Sequence, residues 1–382
     1  MRGQISSYVE SRQGEILDFL SGLVKKESPS HEKDHVDAVI DDLESAYKDL
    51  GFTTRRLLQE RYGAHLVADF SGGGGQRVLL VGHADTVYSL GTLDKTPLKR
   101  DGERLMGPGV HDMKGGLTAM LFGIRALLGV RGSLGGSLRV VVNSDEEPGS
   151  PTSRGLWPKL TRDVNWAFVL EPAKADGAMV LHRKGVGIFR LHVKGKSAHA
   201  GVEPEKGASA IRVLARKILD MEALADLSLG TTVNTGVVQG GTQPYVVPEE
   251  ARAEIDIRVP TLAEQERILT AMRALVERED LPGTSASLEG QFHRPPMEPV
   301  QGLESLQSIV EDEGHALGLP VRWTHTGGAS DGNNISAVGV PTIDGMGPAG
   351  GRAHSPDEYM DIPSLFQKTI LLATVLNRLV GE

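Results

Sequence analysis

The stretch GPGVHDMKGGLTAML, residues 107–121, decides the fold. Glycine and proline in its first half are typical of a loop. The apolar residues that follow recur at helical spacing: Leu117, Met120, Leu121, Ile124, Leu127 and Leu128. The pattern therefore predicts a helix that begins just behind Asp112 and places this carboxylate near the positive end of the helix. An aspartate in front of a helix is most often an N-cap, so its role depends on polar residues elsewhere in the chain.

Composition limits the possible classes of protein. The chain has 382 residues with 41 basic, 50 acidic and no cysteine residues, and its net charge is -9. The length suits two domains. The negative charge and the lack of a basic cluster argue against a nucleic-acid partner, and no apolar run approaches the ~20 residues that a membrane span needs. Without cysteine, any metal must be held by His, Asp and Glu. The first residues lack the apolar core of a secretory signal, so we expect a cytoplasmic protein.

Three apolar strand patterns end in polar residues. They cover residues 77–81, 138–142 and 166–170, and they are followed by His83, by Glu146 with Glu147, and by Glu171. Strand patterns alternate with helical ones, which predicts an α/β fold with a mostly parallel sheet flanked by helices. The carboxyl ends of parallel strands meet at one edge of the sheet, which is where such folds place ligand sites.

The run SGGGG, residues 71–75, could be taken for the loop of a nucleotide-binding oxidoreductase. Such a loop must open a helix, whereas another strand pattern follows here. We therefore predict a hairpin or a flexible turn at this position.

The pattern changes near residue 180. Residues 186–195 alternate between apolar and polar, and they are followed by helix, strand, strand, helix and strand patterns near residues 208–224, 231–239, 251–259, 262–279 and 285–291. This β-α-β-β-α-β order is typical of a separate small α+β layer. We predict that residues 180–291 form an inserted domain, and that residues 1–179 and 292–382 form the metal-binding catalytic domain.

The candidate ligands are two imidazoles and three carboxylates, a set that suits borderline divalent metals such as zinc: His83, Asp112, Glu147, Glu171 and His354. Two dications a few ångströms apart repel each other, and a shared carboxylate screens that repulsion. We interpret Asp112 as the candidate bridge. Each residue alone has an ordinary structural explanation, but their joint occurrence in this order is much rarer.

Two further acids flank the predicted ligands. Asp85 lies two residues beyond His83 on the same side of a strand, so its carboxylate can accept the free ring N–H. Glu146 and Glu147 are adjacent, and adjacent side chains of an extended segment point to opposite sides. One of them can bind metal while the other takes a proton from water, and composition leaves open which does which.

The motifs GHADTV, GPGVHDMKGG, NSDEEPGS, LEPA and AHSPDE, in this order and spacing, resemble the co-catalytic zinc family. That family includes aminoacylase, acetylornithine deacetylase, succinyl-diaminopimelate desuccinylase and glutamate carboxypeptidase. The resemblance covers nearly the whole chain and makes the inserted domain a lid. It implies two Zn²⁺ per chain, with Co²⁺ or Mn²⁺ as substitutes, and a cis bond after Asp112.

The resemblance also implies a role for each metal-site residue. One zinc would be bound by His83, Asp112 and Glu171, and the other by Asp112, Glu147 and His354. Glu146 would be the general base, and Asp85 would support His83. A catalytic metal centre of this kind acts on a small-molecule substrate.

The branch that the chain most resembles is glutamate carboxypeptidase, through Glu171, the segment GKSAHAG at residues 195–201 and Asp256-Ile257-Arg258. The resemblance implies that His199 stabilises the oxyanion, often from the partner of a homodimer formed through the lid. It makes Arg258 a clamp for a substrate carboxylate, the alternative being a surface ion pair. Tyr245 stands where the family often has Asn. Gly327 and Gly328 fit a substrate loop, or a simple turn.

The expected function is hydrolysis of the amide bond of an N-acyl amino acid or short peptide next to a free carboxylate. The rival within the family is an N-deacylase of the acetylornithine deacetylase or succinyl-diaminopimelate desuccinylase type. A metal-loaded binding protein without turnover belongs to another class, and the presence of Glu146 beside the full ligand set argues against it.

Overall fold

A computed structural model describes residues 1–381, which divide into two compact units. The first unit comprises Met1–His182, Pro299–His325 and the chain from Ser330 onward. The second comprises Arg183–Glu298 together with Thr326–Ala329. The chain therefore leaves the first unit to build the second, returns, and later adds the short segment Thr326–Ala329 to the second unit.

Within residues 1–381 the helices are α1 Arg2–Glu10, α2 Gln13–Lys25, α3 Lys33–Asp49, α4 Thr92–Lys95, α5 Gly115–Arg131, α6 Trp157–Leu160, α7 Ala210–Glu222, α8 Leu262–Glu277, α9 Leu303–Ala316, α10 Asp331–Ala337 and α11 Ile362–Val380. The strands are β1 Thr53–Leu57, β2 His65–Phe70, β3 Arg77–His83, β4 Lys99–Asp101, β5 Arg104–Met106, β6 Ser137–Asn143, β7 Trp166–Val169, β8 Met179–Arg183, β9 Gly185–Lys194, β10 Thr232–Gly240, β11 Glu250–Val259, β12 Ser285–Arg294, β13 Trp323–Thr326, β14 Thr342–Ile343, β15 Gly350–Gly351 and β16 Tyr359–Asp361.

The main sheet of the first unit has the strand order β1-β2-β6-β3-β7-β14. Strand β3 lies between β6 and β7 and runs parallel to both, and β14 runs parallel to β7, whereas β1 and β2 are antiparallel. This confirms the predicted mostly parallel α/β sheet. A smaller sheet of order β15-β16-β5-β4 belongs to the same unit, and β8 pairs with β13.

Both faces of the main sheet are covered. In β3, Val78 and Leu80 belong to the large core that contains residues of α5 and α11, whereas Leu79 and Val81 belong to a second core with residues of α6 and α10. Alternate side chains of a strand point to opposite faces, so a strand covered on both sides is apolar throughout. Each fully buried Val or Leu contributes on the order of 1.5–3 kcal/mol relative to exposure.

Helix α5 is the central helix of the large core. The stretch Val110–Arg131 is long and apolar enough to cross a membrane by composition, but 78% of its apolar window is buried inside the protein, as in the core helix of a globular unit. Gly116 lets this helix approach the sheet closely, because a Cβ at this position would lie 1.9 Å from the carbonyl oxygen of Leu170.

The glycine run at residues 71–75 does not form a hairpin. Strand β2 pairs with β1 and β6 rather than with β3, so the hairpin prediction is wrong. The glycine run is a loop that connects two strands that are not neighbours in the sheet. A Cβ at Gly72 would lie 1.7 Å from the carbonyl oxygen of Gly136, and the Gly73 N–H donates to the Leu134 carbonyl at 3.1 Å. The glycines therefore serve close packing between two chain segments.

The second unit is an antiparallel sheet of order β10-β11-β9-β12 with α7 and α8, which confirms the predicted β-α-β-β-α-β order. Inward-facing residues of β9 and β11 share one core with both helices: Leu191, Val193, Ile255, Ile257, Val213, Leu214, Ile268 and Met272. Each helix begins at a capping side chain, since Ser209 and Thr261 accept N–H bonds from Arg212 and Glu264.

Candidate metal centre

Three polar segments meet at the carboxyl edge of the main sheet. His83 is the last residue of β3, Glu146 and Glu147 follow β6, and Glu171 lies two residues beyond β7. Because β3 lies between the other two strands and is parallel to both, their ends are neighbours. The Nε2 atom of His83 lies 3.7 Å from Oε1 of Glu171.

The main chain fixes the ring of His83. Its Nδ1 lies 2.9 Å from the backbone carbonyl oxygen of Asp85, which can only accept, so Nδ1 carries a proton, and Nε2 has the free lone pair whenever the ring is neutral. The carboxylate of Asp85, predicted to accept this proton, is farther away, at 3.5 Å from Nδ1. Asp85 therefore supports His83 chiefly through its backbone.

Asp112 lies in an irregular turn, Val110–Lys114, and not at the N-cap of α5, which is Lys114. Its peptide bond to Met113 is cis, as the family resemblance implies. Oδ1 of Asp112 lies 3.2 Å from Nε2 of His83, and Oδ2 lies 3.2 Å from Nε2 of His354. The two oxygens of one carboxylate thus face two different imidazoles, the arrangement that a bridging ligand requires.

His354 comes from the loop between β15 and β16, where its backbone adopts a left-handed φ of 63°. Its Nε2 lies 3.3 Å from Oε2 of Glu147. The other oxygen of Glu147, Oε1, is buried and has no hydrogen-bond partner in the described part of the chain. Buried carboxylate oxygens nearly always have a partner, so this atom fits the ligand position of a cation.

Glu146 and Glu147 lie in a turn and not in an extended segment, because the Gly149 N–H donates to the carbonyl of Glu146 at 2.8 Å. The prediction that the two side chains point to opposite sides of a strand is therefore wrong in its premise. Ligand atoms of His83, Asp112 and Glu147 lie within 4.8 Å of one another, and so do those of His83, Glu146 and Glu171. Both glutamates thus reach the same centre.

The charges of the centre are unevenly balanced. Burial and the nearby Asp112 charge raise the pKa of Glu171 well above its usual range, and burial raises that of Glu147. Burial opposes ionisation of Asp112 too, but hydrogen bonds from His354 and His83 hold its pKa low. Hydrogen bonds to Asp112 and Glu147 raise the pKa of His354 to about 11. Ionising all three carboxylates requires more positive charge, which bound dications supply.

Two buried aspartates hold the Glu146–Glu147 turn in place. The carboxylate of Asp85 accepts the main-chain N–H groups of Glu146 and Glu147, each at 3.2 Å, and the hydroxyl of Ser30 at 2.7 Å. Asp145 accepts four bonds from the backbone and hydroxyl groups of Thr152 and Ser153. The sequence analysis assigned no role to Asp145, although it is the first acid of the DEE motif.

Glu358 is a second residue that the sequence analysis did not single out. It is 1% exposed, and its carboxylate accepts the N–H groups of Gly109, His111 and Asp112 at 3.1, 2.8 and 2.9 Å. Because it follows His354 by four residues, it ties the His354 loop to the Asp112 turn. The AHSPDE motif could have indicated this role, because Glu358 is an acid only four residues from the candidate ligand His354.

The remaining candidates lie in the second unit. The imidazole of His199 accepts the Gly201 N–H at Nδ1, at 3.2 Å, which places the proton of the neutral ring on Nε2. The His199 segment pairs with the Tyr245 segment through the Ala200 N–H, which donates to the Tyr245 carbonyl at 3.0 Å. Both side chains are exposed.

Arg258 forms an ion pair with Asp256 on the same strand, with Nε–Oδ1 and Nη2–Oδ2 distances of 2.8 and 3.0 Å. Its Nη1 reaches the carbonyl oxygen of Gly327 at 3.5 Å. One edge of the guanidinium is thus engaged, and the other faces the Gly327–Gly328 loop. Neither glycine has a positive φ or a crowded Cβ position.

The chain resembles known metallohydrolases. Residues 181–284 match the family model described as peptidase dimerisation domain. Carboxypeptidase G2 of Pseudomonas sp. (strain RS-16) is 29% identical over 95% of this chain and 89% of its own length. Succinyl-diaminopimelate desuccinylase of Xanthomonas oryzae is 26% identical over 81% of this chain and 86% of its own. The chain is thus similar to peptidases and to a deacylase over most of its length, and these similarities indicate a hydrolytic enzyme.

A solved structure agrees with this chain in fold. The aminopeptidase PepT from Bacillus cereus superposes with a TM-score of 0.82 at 21% identity, covering 96% of this chain and 98% of its own. The donor set of this chain fits metal ions at the carboxyl edge of its main sheet. It has two imidazoles and three carboxylates, and one buried carboxylate oxygen has no hydrogen-bond partner among residues 1–381.

Proposed function

We propose that the protein is a two-zinc amide hydrolase that cleaves an N-acyl amino acid or short peptide next to a free carboxylate. The observation that carries the proposal is the position of Asp112, whose two oxygens each lie 3.2 Å from a different imidazole. In this proposal His83, Asp112 and Glu171 hold one metal ion. Asp112, Glu147 and His354 hold the other.

When bound, the metal ions polarise the scissile carbonyl and lower the pKa of water. The protein groups then have separate tasks. Glu146 accepts the proton of the attacking water and later delivers it to the leaving amine. Its carboxylate lies within 4.8 Å of ligand atoms of His83 and Glu171, which supports this role. Asp85 fixes the main chain of this turn, so Glu146 starts from a defined position.

Residues of the second unit complete the proposal. His199 in the tautomer protonated at Nε2 is a neutral donor suited to the oxyanion of the tetrahedral intermediate. Arg258 is proposed to bind the substrate carboxylate with the guanidinium edge that now faces Gly327. Tyr245 and the Gly327–Gly328 loop are proposed to line the substrate site. The dimerisation-domain match supports a homodimer formed through this unit.

The closest rival activity is N-deacylation, which the similarity to succinyl-diaminopimelate desuccinylase favours. A single panel separates the two: folate-type N-acyl glutamates, N-acetyl and N-succinyl amino acids, and dipeptides, assayed for the released amine. Matched substrates whose free carboxylate is replaced by a carboxamide test the clamp. If the carboxamides are cleaved as fast as the free acids, the enzyme does not require a substrate carboxylate and that part of the proposal is wrong.

The metal part of the proposal is tested separately. Chelation is expected to abolish turnover, and added Zn²⁺ or Co²⁺ is expected to restore it. Metal analysis of the active protein is expected to give about two ions per chain. Fewer than about one ion per chain in fully active protein would refute the two-metal assignment.

A further inference from the structure

A pocket of about 690 Å³ lies in the first unit, and none of the metal-site candidates lines it. Its wall is formed by β4 and β5, by the loop before β8, by the segment after α9 and by the start of α11. Apolar side chains cover much of the inner surface, among them Met179, Leu319, Pro320 and Leu371. A pocket of this size suits a small organic ligand.

The side chain of Lys368 forms part of this wall and is only 7% exposed. Its Nζ has one hydrogen-bond acceptor among residues 1–381, the carbonyl oxygen of Gly177 at 3.3 Å, which is longer than usual for such a bond. No carboxylate of the described chain lies within ion-pair distance of this amine. Burial lowers its pKa to about 7, so about half of the amine is neutral at neutral pH.

The other buried lysines are satisfied differently. Nζ of Lys217 lies 2.9 Å from Asp280 and also donates to two carbonyl oxygens. Nζ of Lys114 donates to the Lys26 carbonyl at 2.7 Å. Neither lines this pocket. Lys368 therefore combines three properties that the other two lack together: burial, the absence of an ion-pair partner, and a position on a ligand-sized space.

The charged groups around the pocket define the ligand. Four carboxylates line it, those of Asp101, Glu103, Asp176 and Asp361, and Arg104 lines it as well. Asp176 is paired with Arg322, at 3.8 Å. Arg104 lies 3.5 Å from Asp361 and stacks on Tyr359, so part of its charge is already engaged. The remaining negative field disfavours an anion and admits an uncharged or cationic molecule.

We propose that this pocket is a second ligand site, separate from the metal centre, which binds a small uncharged carbonyl compound and captures it on Lys368 as an imine. The amine lone pair attacks the carbonyl carbon to form a carbinolamine. Protonation of its hydroxyl and loss of one water then give the C=N bond. The step needs no oxidant or reductant, and a desolvated lysine in an apolar site is the usual nucleophile for it.

The test is trapping of the imine by cyanoborohydride in the full-length protein, with acetaldehyde as the probe and peptide mass spectrometry as the readout. At pH 7 an exposed lysine is neutral to roughly one part in 10³, so Lys368 holds on the order of 10³-fold more free amine. We expect Lys368 to be labelled faster than exposed lysines at pH 7, and the ratio to fall on the order of 10²-fold by pH 10 as those lysines deprotonate. Labelling of Lys368 should saturate with aldehyde concentration, whereas surface labelling should stay linear.

Three controls keep the outcome decisive. Lys368→Met should lose the labelled peptide while amide hydrolysis is kept, and the buried Lys114 should stay unlabelled in the same digest. Glyoxylate, an anionic aldehyde, should label Lys368 at least tenfold less than acetaldehyde does. Labelling of Lys368 that is no faster than that of exposed lysines at pH 7, or that never saturates, overturns the site. Equal labelling by glyoxylate overturns the ligand class.

Discussion

Replacement of Glu358 by Gln tests whether this residue positions the metal ligands. Oε1 of Glu358 accepts the N–H groups of His111 and Asp112, and Oε2 accepts the Gly109 N–H and the Tyr88 hydroxyl. A glutamine can keep its oxygen on the first pair. Its NH₂ group then faces the Gly109 N–H, so donor meets donor.

Tyr88 tolerates the same change, because its hydroxyl also lies 2.9 Å from the Ser355 carbonyl and can donate there while it accepts from the new amide. One buried N–H is therefore left without an acceptor, which costs about 1–3 kcal/mol. If the Val110–Lys114 turn must adopt its native conformation for metal to bind, this cost makes the free energy of metal binding less favourable. At about 1.4 kcal/mol per tenfold, the metal held by Asp112 and His354 should bind about 5- to 150-fold more weakly.

The assay is a competition titration of the metal-free protein against a chromophoric chelator, with thermal melts in chelator to show that the variant is folded. The control is Asp357→Asn in the same loop, because Asp357 is exposed and pairs with Arg352 at 3.1 Å. We expect less than a twofold change for the control. Unchanged affinity for both metals in Glu358→Gln, or an equal loss in Asp357→Asn, would refute the positioning role.

Three further predictions follow from the same geometry. Glu146→Gln should keep both metals and lower kcat on the order of 10² to 10⁴-fold, whereas Glu147→Gln should lose affinity for one metal and regain rate with added zinc; the reverse pattern in metal content and kcat would exchange the two roles. Gly116→Ala places a Cβ 1.9 Å from a main-chain carbonyl oxygen and should destabilise by about 1–3 kcal/mol in chemical unfolding, whereas Gly14→Ala in α2, with nothing within 4 Å, should not. Arg258→Ala should raise KM for carboxylate substrates with little change in kcat.

Periodicity predicted the second unit well, because alternating strands and capped amphipathic helices are local features. The predicted helix at residues 208–224 and strand at 251–259 are α7 and β11, within about two residues at each end. The sequence analysis did not predict helix α1 at the start of the chain. Only Ile5 and Val9 of α1 are buried, too few for a periodic signal.

The pairing of strands could not be predicted in this way. Strand β6 lies between β2 and β3 because of contacts between residues far apart in the chain, and no local pattern near the glycine run reveals this. The turn at Glu146 and Glu147 depends likewise on acceptors from elsewhere. A carboxylate 61 residues earlier, that of Asp85, binds its N–H groups. Sequence spacing predicted which residues gather, but the local backbone was set by distant partners.

These distant partners show why the centre is so rich in acids. The turns that present ligands beyond the sheet edge expose main-chain N–H groups that neither helix nor strand can satisfy, and a buried N–H without an acceptor costs free energy. In each motif, one residue faces the proposed metals and a nearby acid accepts N–H groups of a ligand-bearing segment or of the turn that follows it. Asp85 does this two residues after His83, Asp145 two residues before Glu147, and Glu358 four residues after His354. The motifs HAD, DEE and AHSPDE are therefore best interpreted as pairs of a ligand and a holder, so a count of acids alone overstates the number of metal ligands.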